Sequence, residues 1–309
     1  MNIAVIGAGL IGQAWAIVFA RGGCQVQLWD ADPQALANAR VLIERQANEL
    51  QRHGLVGDAT AVAARVQTFS MLEEALQGVD YVQENLPERL DLKKEIFARM
   101  DACAAAGTIL ASSTSSIPAS LFTETLPGRH RCLVAHPVNP PYLIPVVELC
   151  GAPWTQPEVI ERTRSIMNAV HQKPVTVHKE VEGFVLNRLQ GALLREAFRL
   201  FEAGVVSAED LDVTVKDGLG LRWSFMGPFE TIDLNAPDGL ADYCARYGGM
   251  YQSISTEQTD TRHWSAETVQ NLHAERRALL SHDQLLERRL WRDERLMALM
   301  RHKLDQDAS

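Results

Sequence analysis

HPVNPPYLIPVVELC (136–150) places a histidine, His136, twelve residues ahead of a glutamate, Glu148, with four prolines between them. Each proline fixes φ and removes a backbone donor, so the stretch cannot be helix and suits a central strand poorly. The apolar runs on either side, RCLVA (131–135) and VVELC (146–150), read as short strands. A stiff loop joining two strands can hold an imidazole against a carboxylate, which is what proton transfer by a side chain requires. A proline-rich surface loop with an incidental histidine fits the same residues. The surroundings decide between the two.

A second group of residues points to a ligand rather than to a proton. Gly7-Ala8-Gly9-Leu10-Ile11-Gly12 follows the apolar run NIAVI (2–6) and opens a helical stretch that reaches about residue 21. Another apolar run, QVQLW (25–29), ends at Asp30, 18 positions after the last glycine. This is GxGxxG between a strand and a helix with an acid at the expected distance, the pattern of a dinucleotide site. Gly7 permits the tight turn, Gly9 lets the backbone approach a pyrophosphate, and Gly12 allows close helix–strand packing. The helix N-terminus, at Leu10 and Ile11, offers free N–H groups and a positive dipole end to the phosphates. Asp30 would accept from the adenosine ribose hydroxyls and repel a 2′-phosphate, so the expected cofactor is NAD rather than NADP. The alternative is a glycine-rich turn in some other α/β domain.

The apolar runs supply the frame for both groups. A helix at about 33–53 precedes strand RVQTF (65–69); helix 71–77, strand DYVQE (80–84), helix 88–101 and strand TILASS (108–113) follow. RCLVA, VVELC, a helix at about 156–171 and strand PVTV (174–177) complete the alternation. Such alternation predicts an α/β domain, a Rossmann-type doubly wound and mostly parallel sheet, with ligands outside the carboxyl ends of the strands. Ser112-Ser113-Thr114-Ser115-Ser116 falls at one of those ends, within reach of a cofactor's reactive end. Five hydroxyl side chains in a row are also what an ordinary loop holds.

From Glu182 onward strand signals vanish, which predicts an NAD-binding domain over 1–181 and an all-α C-terminal domain over 182–309. GFVLNRLQGALLREAFRLFEAG (183–204) reads as one long helix, with Leu186, Leu189, Leu193, Ala197 and Leu200 at helical spacing. Asn187 lies in its first turns beside Phe184, Gly191 and Leu194, and an unsatisfied buried amide there would cost ~1–3 kcal/mol. It is either an ordinary helix-start asparagine or a ligand contact facing the cleft between domains. Gly227-Pro228 interrupts the helical pattern in SFMGPFETIDLN (224–235), and GLGLRW (218–223) reads as a turn at Gly218–Gly220. The stretch 283–304 is amphipathic, with a Leu/Trp/Met face suited to packing or to a subunit contact.

Composition narrows the function classes. A length of 309 residues favours two domains, and 46% hydrophobic with 22% charged residues suits a soluble globular protein. A net charge of −9 argues against nucleic acid or an anionic membrane as partner. The five cysteines are scattered without a CxxC pair, which suits a reducing, cytoplasmic setting. IAVIGAGLIGQAWAIVFA (3–20) has the length of a membrane span, but its three glycines and the lack of a basic start favour strand, turn and helix. No GxSxG elbow is present, GAGLIG lacks the lysine of a P-loop, and the nine histidines have no metal-ligand spacing.

Ser115 in the TSS run, His136-x2-Asn139-Pro140, Glu148 and GFVLNRL with Asn187 together resemble the 3-hydroxyacyl-CoA dehydrogenase superfamily, from residue 2 to near the C-terminus. The resemblance implies that His136 is the general base and that Glu148 holds its other ring nitrogen. It also implies that Ser115 and Asn187 bond the substrate oxygen, and that Glu88 and Lys93, in PERLDLKKE, lie near the cofactor. By charge alone, Glu88 and Lys93 would read as a solvated helix face. HPVNPPY, PVVELC, GLGLRW and MGPFET look most like the branch that oxidises a small free hydroxy acid, with L-gulonate converted to 3-dehydro-L-gulonate. Carnitine and 3-hydroxyacyl-CoA are the alternative substrates, and a non-catalytic NAD-binding or structural protein is the alternative from another class. HPVNPP replaces the aromatic HFFNP form of the acyl-CoA branch, and Arg222 stands where that branch has no such arginine. Arg222 is therefore expected in the interdomain cleft, gripping the substrate carboxylate, or else holding the Gly218–Gly220 turn. A homodimer is expected.

Overall fold

The computed structural model describes residues 1–259 and 261–307. Eight strands form one sheet: β1 (Asn2–Ile6), β2 (Gln25–Trp29), β3 (Val66–Phe69), β4 (Tyr81–Glu84), β5 (Ile109–Ser112), β6 (Cys132–Pro137), β7 (Val146–Gly151) and β8 (Lys173–Val177). Their order is β3-β2-β1-β4-β5-β6-β7-β8, and every neighbouring pair is parallel except β6 and β7. This is the Rossmann-type, mostly parallel sheet expected from the alternation.

The antiparallel exception matters for the site. Parallel neighbours need a long crossover, whereas antiparallel ones can be joined directly. The proline loop returns the chain immediately, and the register it sets puts His136 opposite Glu148.

Seven helices connect or flank these strands: α1 (Leu10–Arg21), α2 (Pro33–Arg52), α3 (Ala59–Ala64), α4 (Leu72–Ala75), α5 (Leu90–Cys103), α6 (Ser120–Thr123) and α7 (Pro157–Ala169). Asp32 caps α2 by accepting from Gln34 N, with Pro33 in the first turn, a start that the sequence signals plainly. The short α3 and α6 escape the apolar-spacing reading, being too brief to show a period. The sheet is covered on both faces. Ile3 and Val5 join Trp15, Phe19 and Ile43 in one core, while Ala4 and Ile6 join Phe97, Met100 and Phe122 in the other. That alternation along β1 is the period-two geometry of a strand buried on both sides.

Beyond β8 the structure is helical: α8 (Leu186–Glu202), α9 (Ala208–Val213), α10 (Gly220–Trp223), α11 (Pro228–Asp233), α12 (Gly239–Glu257), α13 (Ala266–Leu279) and α14 (Leu285–Asp307). Two expectations change here. The long helix starts at Leu186 rather than 183, because Gly183 (φ 74°) and Phe184 (φ 48°) adopt left-handed backbone. GLGLRW is not a turn: Thr214–Leu219 is π-helical and runs into α10, so helical context overrides the glycines.

The chain divides into two compact units, 1–188 with 289–309, and 189–288. The last helix therefore belongs with the sheet. Met297 is buried in the core that holds Trp15, with Leu296 packed against it, and Arg301 donates to the Gly54 carbonyl oxygen. In the second unit, Thr268 Oγ1 donates to Glu202, Arg276 pairs with Asp212, and Phe198 stacks on Trp264.

Candidate active site

Two groups of residues meet at the carboxyl ends of β1, β2 and β4–β6. The first is built from backbone. Gly7 (φ 98°) has a conformation that side chains disfavour, and a Cβ there would press on the Asn85 backbone at 3.1 Å. A Cβ on Gly12 would collide with the Gly7 carbonyl oxygen, whereas a Cβ on Gly9 would meet nothing within 4 Å. Gly7 and Gly12 thus close the turn, and Gly9 presents an open backbone surface at the start of α1. Asp30 stands at the end of β2, its Oδ2 accepting from Ala8 N at 2.7 Å and its Oδ1 from Asp32 N at 2.9 Å. Its carboxylate therefore lies beside the turn. A dinucleotide fits these residues: an open glycine face, the N–H groups of Leu10 and Ile11, and an anchored acid.

The second group is built from side chains. His136 Nδ1 lies 2.8 Å from Glu148 Oε2, and the two residues are 6% and 2% exposed. The other carboxylate oxygen, Oε1, accepts from Val185 N (2.8 Å) and Leu186 N (3.0 Å) at the N-terminus of α8. The left-handed Phe184 aims these two N–H groups, and its buried ring packs against His136 with centroids 5.7 Å apart. Burial opposes ionisation of Glu148. The bond to His136 and the two backbone N–H groups outweigh it, so its pKa lies below the ordinary carboxylate value. An ionised carboxylate only accepts, so Nδ1 carries the proton and Nε2 is left as the basic nitrogen.

Ser115 lies on the loop after β5. A single oxygen of Glu88 organises this loop: Oε1 accepts from Thr114 Oγ1 (2.5 Å), Ser115 N (3.1 Å), Ser116 N (3.0 Å) and Ser116 Oγ (3.0 Å). Burial raises the pKa of Glu88, but Thr114, the Lys93 charge and Ser116 hold it below the usual value. Asn187, half-buried in the first turn of α8, donates from Nδ2 to the Ser115 carbonyl oxygen at 3.0 Å. Ser115, Glu88 and Asn187 are thus brought together, and His136 with Glu148.

Lys93 is not on a solvated face. It is 1% exposed, with Nζ 3.1 and 3.0 Å from the two oxygens of Glu84, which is itself 0% exposed. Glu84 also accepts from Ser112 Oγ at 2.5 Å and Leu86 N at 2.6 Å. This sealed pair fixes the segment after β4 that leads to Glu88. Sequence spacing misses Glu84, because its partners meet only once β4 and β5 pair; the sole signal is a glutamate ending the apolar run YVQE. Arg222 lies in the second unit on α10, exposed, where its charge acts on the Tyr243 phenol.

Comparison with known proteins fits this arrangement. Residues 2–181 match the NAD binding domain of 3-hydroxyacyl-CoA dehydrogenase, and residues 183–278 match the C-terminal domain. The chain belongs to the 3-hydroxyacyl-CoA dehydrogenase family. As a member it is an NAD-dependent oxidoreductase acting on CH–OH, with the Rossmann-type and helical parts of that family. It is 40% identical to lambda-crystallin of Oryctolagus cuniculus over 308 residues, covering 98% of this chain and 96% of that protein. It is 38% identical to L-carnitine dehydrogenase of Pseudomonas putida over 248 residues, covering 80% and 77%. Among solved structures, 5-formyl-3-hydroxy-2-methylpyridine 4-carboxylic acid 5-dehydrogenase, an NAD+-dependent dismutase, superposes with TM-score 0.75 at 31% identity, covering 93% of this chain and 98% of that one.

Proposed function

We propose that this dehydrogenase oxidises the 3-hydroxyl of a small free hydroxy acid, L-gulonate to 3-dehydro-L-gulonate, with His136 as general base. The observation that carries the base is the 2.8 Å contact between His136 Nδ1 and Glu148, which leaves Nε2 to take the substrate hydroxyl proton. Glu148 stabilises the resulting imidazolium. Its second oxygen is tied to Val185 and Leu186, so the carboxylate cannot swing away from the ring. Ser115 and Asn187 bond the substrate oxygen as it becomes a carbonyl. Bound NAD supplies the hydride acceptor. Gly7, Gly9, Leu10, Ile11, Gly12 and Asp30 hold the dinucleotide, and Glu88 and Lys93 order the loops beside it.

Two features support a free acid over a thioester. HPVNPP stands in place of an aromatic HFFNP segment, and the relatives named lambda-crystallin match nearly the whole chain. Arg222 binds the substrate carboxylate in this reading, because a guanidinium suits a two-point grip that a thioester carbonyl cannot answer. NADH production measured side by side on L-gulonate, L-carnitine and 3-hydroxybutyryl-CoA tests the assignment. A kcat/KM that favours the CoA ester would overturn it.

The same reading includes a cytoplasmic homodimer. Five unpaired cysteines suit a reducing compartment. No helix among the described residues is long and apolar enough to cross a membrane. In the second unit only Ala208, Thr231 and Thr268 are buried among the described residues, while Trp223, Phe225, Phe229 and Met250 are exposed. Apolar surface of that kind is what a self-complementary contact covers. Light scattering at micromolar concentration would show a monomer if this is wrong.

A further inference from the structure

Beneath the glycine turn lies a polar network that the proton-transfer reading does not use. The buried Tyr81 donates its hydroxyl to Gln83 Oε1 at 2.6 Å. Gln83 Nε2 donates to Ser113 Oγ at 2.6 Å and to the Ala135 carbonyl oxygen at 3.1 Å. Trp15 Nε1 donates to the same Ser113 Oγ at 3.0 Å, and Ser113 Oγ donates to Asn85 Oδ1 at 2.7 Å. A hydroxyl has one proton and two lone pairs. Ser113 uses all three, so its orientation is fixed by three partners, on α1, on β4 and in the segment after β4.

Each partner sits next to working machinery. Trp15 is in the second turn of α1, the helix opened by Gly9. Asn85 forms the wall of the glycine turn: its backbone would meet a Cβ on Gly7 at 3.1 Å, and its Nδ2 would meet one on Gly12 at 3.6 Å. Ala135 immediately precedes His136, and Ser113 lies two residues before Ser115. Backbone pairing sets the register of β4, β5 and β6 and ties Asn85 N to the Ile6 carbonyl oxygen at 2.7 Å, but it does not tie α1 to the tips of β4, β5 and β6. An apolar core would pack at this position without the risk that a half-satisfied polar network carries. The sheet has such a core on both faces elsewhere.

We propose that Ser113 and Gln83 are positioning residues that lock the dinucleotide turn, through Trp15 and Asn85, to the strand that carries His136. The proposal rests on His136 being the base only for its effect on kcat. Ser113→Ala strands Trp15 Nε1 and Asn85 Oδ1 and is expected to lower kcat per NADH-binding site by about 10–10²-fold, the cost of a small misplacement of reacting groups. KM for the hydroxy acid and the NADH dissociation constant should move much less. Ser113→Thr, which keeps the hydroxyl, should restore most of kcat. Gln83→Met, of similar volume, is the second variant in case Ser113→Ala folds poorly, and it should show the same split.

Trp15→Phe removes the indole donor together with the second ring, which leaves a cavity at a fully buried position. Combined with Ser113→Ala, it should cost less than the product of the two single effects, since both break one bond. An unchanged kcat per NADH-binding site in both Ser113→Ala and Gln83→Met, with only the melting temperature lowered, would show the network to be purely structural. Failure of the base assignment would appear elsewhere, as activity retained in His136→Gln, so the two outcomes are separable.

Discussion

The two ends of the candidate site are made of different material. The glycine end is consecutive backbone: one strand, one turn and the start of one helix. The imidazole end is assembled from side chains on β6, β7, the loops after β4 and β5, and the first turn of α8. Only proline deletes a backbone N–H, so under any other substitution the first end fails only when space is filled. The second end fails one group at a time. Its failures should therefore be graded and should leave cofactor binding intact.

Gly12→Ala is the strongest test of the first half of that contrast. Its Cβ would collide with the Gly7 carbonyl oxygen, backbone against backbone, with no flexible side chain to move aside. NADH binding is expected to be lost, together with much of the stability of the first unit. Gly9→Ala separates the two causes. A Cβ there meets nothing within 4 Å, and Gly9 already has an extended conformation open to any residue (φ −70°, ψ −173°). Its melting temperature should match wild type while NADH binding weakens, read by fluorescence titration. If Gly9→Ala bound NADH as tightly as wild type, the open face would not be the pyrophosphate surface.

His136→Gln sharpens the other half. It should leave NADH binding near wild type and lower kcat by roughly 10²–10⁴-fold, the usual contribution of a positioned base. Retention of most activity would remove His136 from that role. The contrast between Gly9→Ala and His136→Gln, one losing affinity and the other turnover, is the signature expected of a site built in two materials.

The same difference explains what the sequence reveals. GxGxxG and Asp30 are legible because a single strand–turn–helix unit fixes their spacing. His136 and Glu148 are legible because a proline-stiffened loop returns the chain antiparallel at once, so sequence neighbours become sheet neighbours. Lys93 is different. By charge it reads as a solvated helix residue, yet it is sealed against Glu84, because the pocket that receives it exists only after β4 and β5 have paired. Ser113 is hidden for the same reason: its bonds reach back 98 residues to Trp15 and 30 to Gln83. The late start of α8 is equally invisible, since left-handed backbone at Phe184, a bulky residue, contradicts local preference and is held by burial and by the bonds that Val185 N and Leu186 N donate to Glu148.

Arg222 belongs to neither end, and its expected effect is smaller. If it grips the substrate carboxylate, Arg222→Met should lower kcat/KM for the hydroxy acid by on the order of 10–10²-fold, from ~1.5–3 kcal/mol for a charge-assisted bond. The melting temperature should stay the same, since the side chain is exposed. A lowered melting temperature with kcat/KM intact would make Arg222 a structural residue of the second unit and leave the carboxylate without a partner.

The smallest effect concerns the pH dependence of stability at Glu148. In the folded chain its pKa is depressed: burial opposes ionisation, but His136 and the N–H groups of Leu186 and Val185 outweigh it. In the unfolded chain it titrates near the ordinary value of about 4.3. A depressed folded pKa means that the ionised form stabilises the fold. That contribution is complete above the unfolded pKa and drains away as pH falls through the lower folded value. Glu148→Gln keeps an acceptor for Val185 and Leu186 but loses the charge facing His136. The variant should therefore be less stable than wild type by about 1–3 kcal/mol at pH 7, as for a charged hydrogen bond lost in a buried site. The deficit should shrink below pH 4, as the wild-type carboxylate becomes protonated. Urea unfolding of both proteins between pH 3 and pH 7 measures it. A deficit that stayed constant over that range would mean that the pair is held by shape and neutral hydrogen bonding, and that Glu148 contributes no charge to the ring it orients.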